Sequence, residues 1–247
     1  MMFIGAGTAI NVVAIGAGGF LGIAVGRRFT DALRVLVTDA LGLVTMISAI
    51  ASGAAVFKPA LVAAVPDGAP VLVVLTSMLL GGGLGYLLRV EARLEGFGER
   101  LRHRFSHDGD GRFVDGFVMS SLIFAIGPLA IMGSISDGLG TGIDQLLLKS
   151  SLDFFAAIAF AASFGLGVAV SALPVGIYQG AWTLIGIGLG SVMTAPEVAA
   201  MTATGGLLLG AISLKLLNVK HIAVGSLLPA MFVAPVLVAA IGRVSGV

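Results

Sequence analysis

Polar and apolar positions along this chain do not alternate with a short period; they separate into long blocks. Asp, Glu, Lys and Arg are absent from residues 1–26, 40–57, 68–88, 116–136, 154–196, 198–214 and 222–242, and they collect in short knots between these intervals. An α-helix needs about 20 apolar residues to cross roughly 30 Å of hydrocarbon at 1.5 Å per residue. Each interval approaches or exceeds that length, and residues 154–196 are long enough to cross twice, with Pro174 as the natural break. The pattern predicts an all-α, polytopic membrane bundle of eight helices over 3–25, 33–57, 70–88, 113–135, 151–173, 174–193, 198–217 and 225–241.

Composition strengthens this reading. The chain is 57% hydrophobic and only 11% charged, with a mean hydropathy of +1.08, far from the balance of a soluble domain. Eight spans within 247 residues leave no room for a separate soluble domain, so the whole of 1–247 reads as one integral membrane domain whose function lies within the bilayer. The first span has no basic stretch before it and is expected to be an uncleaved helix rather than a signal peptide. The absence of cysteine removes disulfides, thiolate metal sites and Cys nucleophiles. Basic residues are unevenly shared: Arg27, Arg28, Arg34, Arg89, Arg93, Arg100, Arg102, Arg104, Arg112, Lys215 and Lys220 fall in or beside odd-numbered connectors, against Lys58, Lys149 and Arg243 on the other side. Positive charge marks the cytoplasmic side, so both termini are expected outside.

The third connector, 91–112, is the only long polar segment. Leu94, Phe97, Leu101 and Phe105 recur at helical spacing among Glu91, Glu95, Glu99 and the arginines, as in an amphipathic helix lying on the inner membrane surface. His107, Asp108 and Asp110 suggest a metal loop, but the stretch lacks the terminal Glu and further oxygen ligands of an EF-hand and reads as a Gly-rich turn.

Glycine recurs in i, i+4 stripes: Gly18, Gly22 and Gly26; Gly81 and Gly85; Gly186 and Gly190; Gly206 and Gly210. Such stripes let helices approach backbone to backbone, within the chain or in a homo-oligomer. An internal similarity pairs INVVAIGAGGFLG followed by TDALGLVTMIS in the first half with IYQGAWTLIGIGLG followed by TATGGLLLGAIS in the second. It matches Asn11 with Gln179, and Thr38 and Gly42 with Thr202 and Gly206. The expected organisation is therefore repeat A over 1–90, two central helices over 113–173 and repeat B over 174–247, the repeats inverted as in many secondary transporters.

Helix breakers and polar side chains within the spans mark the expected pathway. Gly127 and Pro128 interrupt the fourth span, where backbone amides would be freed at the start of a half-helix. Asp39, inside the second span, is the strongest protonation candidate, and Asp153 opens the fifth; a charge at such depth costs about 2.5–3.5 kcal/mol and faces a partner or a water-filled cavity. Asn11, Ser134, Tyr178, Gln179 and Asn218 complete the expected lining, with Tyr178 and its neighbour Trp182 equally suited to packing. No phosphate loop, HExxH or GxSxG occurs, and the three histidines offer no metal geometry, so the chain is expected not to be an enzyme and to need no metal or cofactor.

Four strings, IGPLAIMGSISDGL, KSSLDFFAA, ALPVGIYQGAWTLI and LNVKHIAVGSLLPA, together with the opening TAINVVAIGAGGFLG, resemble the YqgA/YdfK-like family of bacterial inner-membrane proteins, a domain of unknown function. The resemblance implies a location in the bacterial inner membrane and carries over no functional residue. Taken together, the sequence points to a secondary transporter or permease for a small solute or ion, the expected partners being the lipid bilayer and that solute rather than nucleic acid, with ion coupling expected. A passive homo-oligomeric channel and a non-transporting scaffold or sensor are the alternatives.

Overall fold

The computed structural model describes residues 3–66, 69–105, 112–126, 128–140, 142–189 and 193–245, which contain no β-strand. In chain order the helices are α1 (Ala6–Gly26), α2 (Asp31–Gly53), α3 (Pro59–Ala64), α4 (Ala69–Leu87), α5 (Val90–Phe105), α6 (Arg112–Ala125) and α7 (Pro128–Gly138). They continue with α8 (Asp144–Phe164), α9 (Leu166–Val170), α10 (Ala172–Leu189), α11 (Ala195–Leu216), α12 (Val224–Leu227) and α13 (Ala230–Ser245). Among the described residues seven stretches are long and apolar enough to cross a membrane, and an eighth is present if α6 and α7 form one bent span. Val13, Phe20, Ile47, Leu79, Phe155 and Ile177 are each 64–72% exposed. Apolar side chains presented outward on helices of this length are solvated by lipid. The protein is a multi-pass α-helical membrane protein.

The structure moves one expected boundary. The fifth span was expected over 151–173 with its break at Pro174, but α8 runs from Asp144 to Phe164 and stops at Gly165, whose φ of 75° is left-handed. Glycine takes this conformation without a Cβ penalty and so ends the helix. Pro174 instead lies in the first turn of α10, where its missing N–H has no intrahelical partner to lose. Because α8 already starts at Asp144, Lys149 is not a connector residue. It lies inside α8 and is buried.

The chain divides into two compact units, Met1–Leu41 with Leu94–Val192, and Gly42–Arg93 with Met193–Val247. Repeat segment 1–90 is thus shared between the two. The first unit is organised around α1 and α8, which lie parallel and in close contact. A Cβ added at Gly18, Gly22 or Gly26 would overlap the carbonyl oxygen of Phe154, Ile158 or Ala162 in turn. The four-residue step is the same on both helices, so the glycine stripe is what permits backbone-to-backbone approach. Gly138 of α7 meets the Thr183 carbonyl of α10, and Gly186 of α10 meets that of Ile135. Phe97 of α5 packs against Phe117 of α6 with ring centroids 5.9 Å apart.

In the second unit α11 is the central element. Its start is closed by the Thr194–Glu197 capping box, in which Glu197 Oε2 accepts from the Thr194 N–H at 2.7 Å. Leu61, Val65, Val73, Ala199, Ala200, Ala234 and Val238 form an apolar cluster around its first turns. Gly206 meets the backbone of Ala49 and Gly53 on α2, and Ser213 Oγ donates to the Gly42 carbonyl at 2.7 Å. Gly81 and Gly85 of α4 meet Ala230 and Ser226. The described glycines of the expected stripes, apart from the looser Gly210, therefore make their close approaches inside the chain.

Gly22→Ala should lower the thermal unfolding temperature of the detergent-solubilised protein, an overpacking loss of about 1–3 kcal/mol. Gly16 has no neighbour within 4 Å of an added Cβ. Gly16→Ala should be neutral or stabilising, because alanine is the better helix former by up to about 1 kcal/mol. Equal tolerance of both substitutions would contradict the close α1–α8 contact.

Candidate functional site: a buried polar cluster on α1, α8 and α10

The register of α1 against α8 sets Asn11 opposite the polar stretch Lys149–Asp153 of α8. Lys149 and Asp153 stand four residues apart there, one helical turn on the same face, and Lys149 Nζ donates to Asp153 Oδ2 at 2.5 Å. Asn11 Nδ2 donates to the same oxygen at 3.0 Å and to Gln179 Oε1 of α10 at 3.1 Å. Asn11 and Gln179 are wholly buried, and Lys149 and Asp153 nearly so. Two atoms of this cluster, Asn11 Oδ1 and Gln179 Nε2, are buried with no hydrogen-bond partner among the described residues. One is an acceptor and the other a double donor.

The polar path continues toward the start of α1. Thr183 Oγ1 donates to the Gln179 carbonyl at 3.1 Å and shares a 3.2 Å hydrogen bond with Thr8 Oγ1. Asp137, at the end of α7, accepts from the Gly5 and Gly7 amides at 3.0 Å each and from Thr8 at 3.4 Å. A carboxylate is poorly placed at its own helix's C-terminus, where the dipole is negative, and well placed against the free amides that open α1. At the other end of α1, Arg34 donates to the carbonyls of Gly26 at 2.7 Å and Ala162 at 2.9 Å. Thr8 and Thr183 also line a groove of about 760 Å³ between α1 and α10, otherwise apolar along Val12, Gly176, Ile177 and Leu184.

Of the residues expected to line a pathway, Asn11, Asp153 and Gln179 come together here. Tyr178 is half-buried one residue from Gln179 and sets its ring edge-on to Trp182, with centroids 6.3 Å apart. Ser134 is buried but donates to the Ala130 carbonyl of its own helix at 2.6 Å. Pro128 opens α7, and the axis turns by 63° between Arg112–Ala125 and Leu129–Gly138; Gly127 lies outside the described residues, as do His107, Asp108 and Asp110. Asp39 is half-buried on α2 and takes no part in the cluster. Asn218 is exposed and has a φ of 54°. Its amide bonds to the Lys215 carbonyl and that of Val219 to Leu214, so Asn218 terminates α11 in a Schellman motif, a left-handed position that asparagine tolerates. Lys149 and Asp137 belong to this candidate site, although the sequence reading does not include them in the pathway lining. The spacing of Lys149 and Asp153 was the available signal, whereas the partner of Asp137 lies 130 residues away.

Removing one member of a buried ion pair leaves an uncompensated charge and costs about 3–5 kcal/mol, while removing both is far better tolerated. Lys149→Met and Asp153→Leu should therefore each destabilise the protein strongly in thermal unfolding, and the double variant should be more stable than either single one. Additive losses would show that the two side chains are not coupled.

The chain matches the model of a protein family described as being of unknown function (DUF554) over residues 6–239. It is 28% identical over 232 residues to the uncharacterized membrane protein YdfK of Bacillus subtilis (strain 168), an alignment spanning 94% of this chain and 95% of that protein. It is 29% identical over 238 residues to the uncharacterized protein YqgA of Escherichia coli (strain K12), spanning 95% and 96% of the two chains. No solved structure matches. With its matched region reaching from the first turn of α1 into α13, and with full-length relatives in two bacteria, this chain belongs to the DUF554 family.

Proposed function

We propose that this protein is a secondary transporter, or permease, for a small solute rather than an enzyme, and that the solute passes the α1–α8–α10 cluster with an ion coupled through Lys149 and Asp153. The observation that carries this reading is the wholly buried pair Asn11 and Gln179, each with an unpaired polar atom, beside an ion pair in helices of membrane-spanning length. In hydrocarbon such groups are expensive and mark a path for solute, ion or water. The reading places the protein in the bacterial inner membrane, in keeping with the membrane-protein description of its B. subtilis relative. It also keeps the basic connectors in the cytoplasm and the termini outside. With Lys149 inside α8, only Lys58 and Arg243 remain on the outer side of that balance.

Inverted repeats belong to the same proposal. Their support is the pairing of matched helices inside each unit. In the first, α1 runs antiparallel to α10, with Thr8 beside Thr183, Asn11 beside Gln179 and Val12 beside Gly176. In the second, α2 runs antiparallel to α11, with Gly42 against Leu217 and Gly206 against Gly53, and α4 against the α12–α13 span, with Gly81 at Ala230 and Gly85 at Ser226. Helices matched by a two-fold axis in the membrane plane are antiparallel by construction.

Proteoliposomes subjected to a hyperosmotic gradient of acetamide, glycerol, amino acids or alkali-metal salts test this directly by light scattering. A transporter should give protein-dependent re-swelling for particular solutes, saturating with concentration and abolished by Asn11→Leu. Flux that rises without saturation would mean a channel, and no flux with any of these solutes would leave a scaffold or sensor.

A further inference from the structure

The four buried side chains divide into a charged half and a neutral half. Lys149 and Asp153 neutralise each other, so the cluster carries no net charge. Asn11 commits both N–H groups of Nδ2, one to Asp153 and one to Gln179 Oε1. What remains uncommitted is an amide oxygen, Asn11 Oδ1, and an amide nitrogen, Gln179 Nε2. The elements packed around them carry further ionisable groups, Arg112 and Asp115 on α6 and Asp144 at the start of α8. Asp137 on α7 is engaged by three amides at the start of α1, Tyr178 on α10 is uncharged at neutral pH, and α9, LGVAV, has no ionisable residue.

Resting on the reading of this cluster as a solute site, we infer that its solute is uncharged and presents a hydrogen-bond donor beside an acceptor, as an amide or a hydroxyl does. The donor meets Asn11 Oδ1 and the acceptor meets Gln179 Nε2, satisfying both orphaned atoms with one group. A simple ammonium can only donate and a carboxylate can only accept, so either would satisfy one of them at most and would add a net charge beside the balanced Lys149–Asp153 pair. Thr8 and Thr183, hydroxyls that themselves donate and accept, extend the same chemistry to the groove between α1 and α10. Asn11 bonds to Asp153 as well as facing the solute, so it is the residue through which solute occupancy reaches the ion pair.

The test uses the full-length protein in lipid nanodiscs and four small probes: acetamide and ethylene glycol, with sodium acetate and methylammonium chloride as charged counterparts. Unfolding temperature is followed against concentration in the wild type and in Gln179→Met, and the difference between the two removes each probe's general effect on stability. Acetamide or ethylene glycol should give a saturable rise in the wild type that is lost in the variant, and the charged probes should give none. A rise with acetate or methylammonium that depends on Gln179 would overturn the inference while leaving the solute-site reading standing. No Gln179-dependent rise with any probe would overturn both, with water alone meeting the two amides. If Gln179→Met does not fold, hydrogen exchange on the wild type decides. Acetamide, and not acetate, should then slow exchange of the α10 amides around Gln179, and the reverse would refute the proposal.

Discussion

The contact that the rest of the first unit depends on is the parallel, backbone-to-backbone seam between α1 and α8. Lipid gives apolar side chains no reason to leave it, so helices in a bilayer are held by close packing and by polar groups that need partners. Gly18, Gly22 and Gly26 meet the carbonyls of Phe154, Ile158 and Ala162 at a constant offset, and that offset fixes every other pairing along α1. It puts Asn11 within hydrogen-bonding range of Asp153. A parallel seam also brings two helix C-termini together, each with unsatisfied carbonyls and negative partial charge. Arg34 answers both by donating to Gly26 and Ala162. Asp137 answers the positive end of α1. Helix α1 is therefore held at both ends by charges of the sign its dipole calls for, and its polar middle is held by α8 and α10.

Much of this was legible in the sequence because its cause is local or periodic. The charge-free blocks dictate membrane-spanning helices, since lipid excludes unpaired charge whatever the tertiary arrangement. The glycine stripes mark close helix contacts because only a missing Cβ permits that approach. The interruption before Pro128 follows from a ring that cannot continue a hydrogen-bond ladder. Asn11, Asp153 and Gln179 stood out because a polar side chain in an apolar run must find a partner, although nothing in the sequence said that they find one another.

What was not legible depended on geometry at a distance or on a single backbone dihedral. The left-handed φ of Gly165 ends α8 early, and the start of α8 at Asp144 takes Lys149 into the bundle, whereas residue type alone favoured Pro174 as the break. Asp137 looks like a loop-facing residue at a helix end until α1 brings its free amides to it. Asn218 and Asp39 have the side chains of a pathway, but one closes α11 through its backbone and the other lies on α2 away from the cluster. A polar residue within an apolar run announces that it needs satisfaction without saying whether the backbone, a partner or a solute supplies it.

The account stands or falls on the cluster where α1, α8 and α10 meet. An experimental density map of the protein in lipid, at a resolution that shows ordered water, examines it directly. The account predicts continuous density from Asn11 through Asp153 to Lys149, and a further peak bridging Asn11 Oδ1 and Gln179 Nε2. Asn11 and Gln179 held apart, with their amides paired to other protein groups and Lys149 turned out of the bundle, would contradict it.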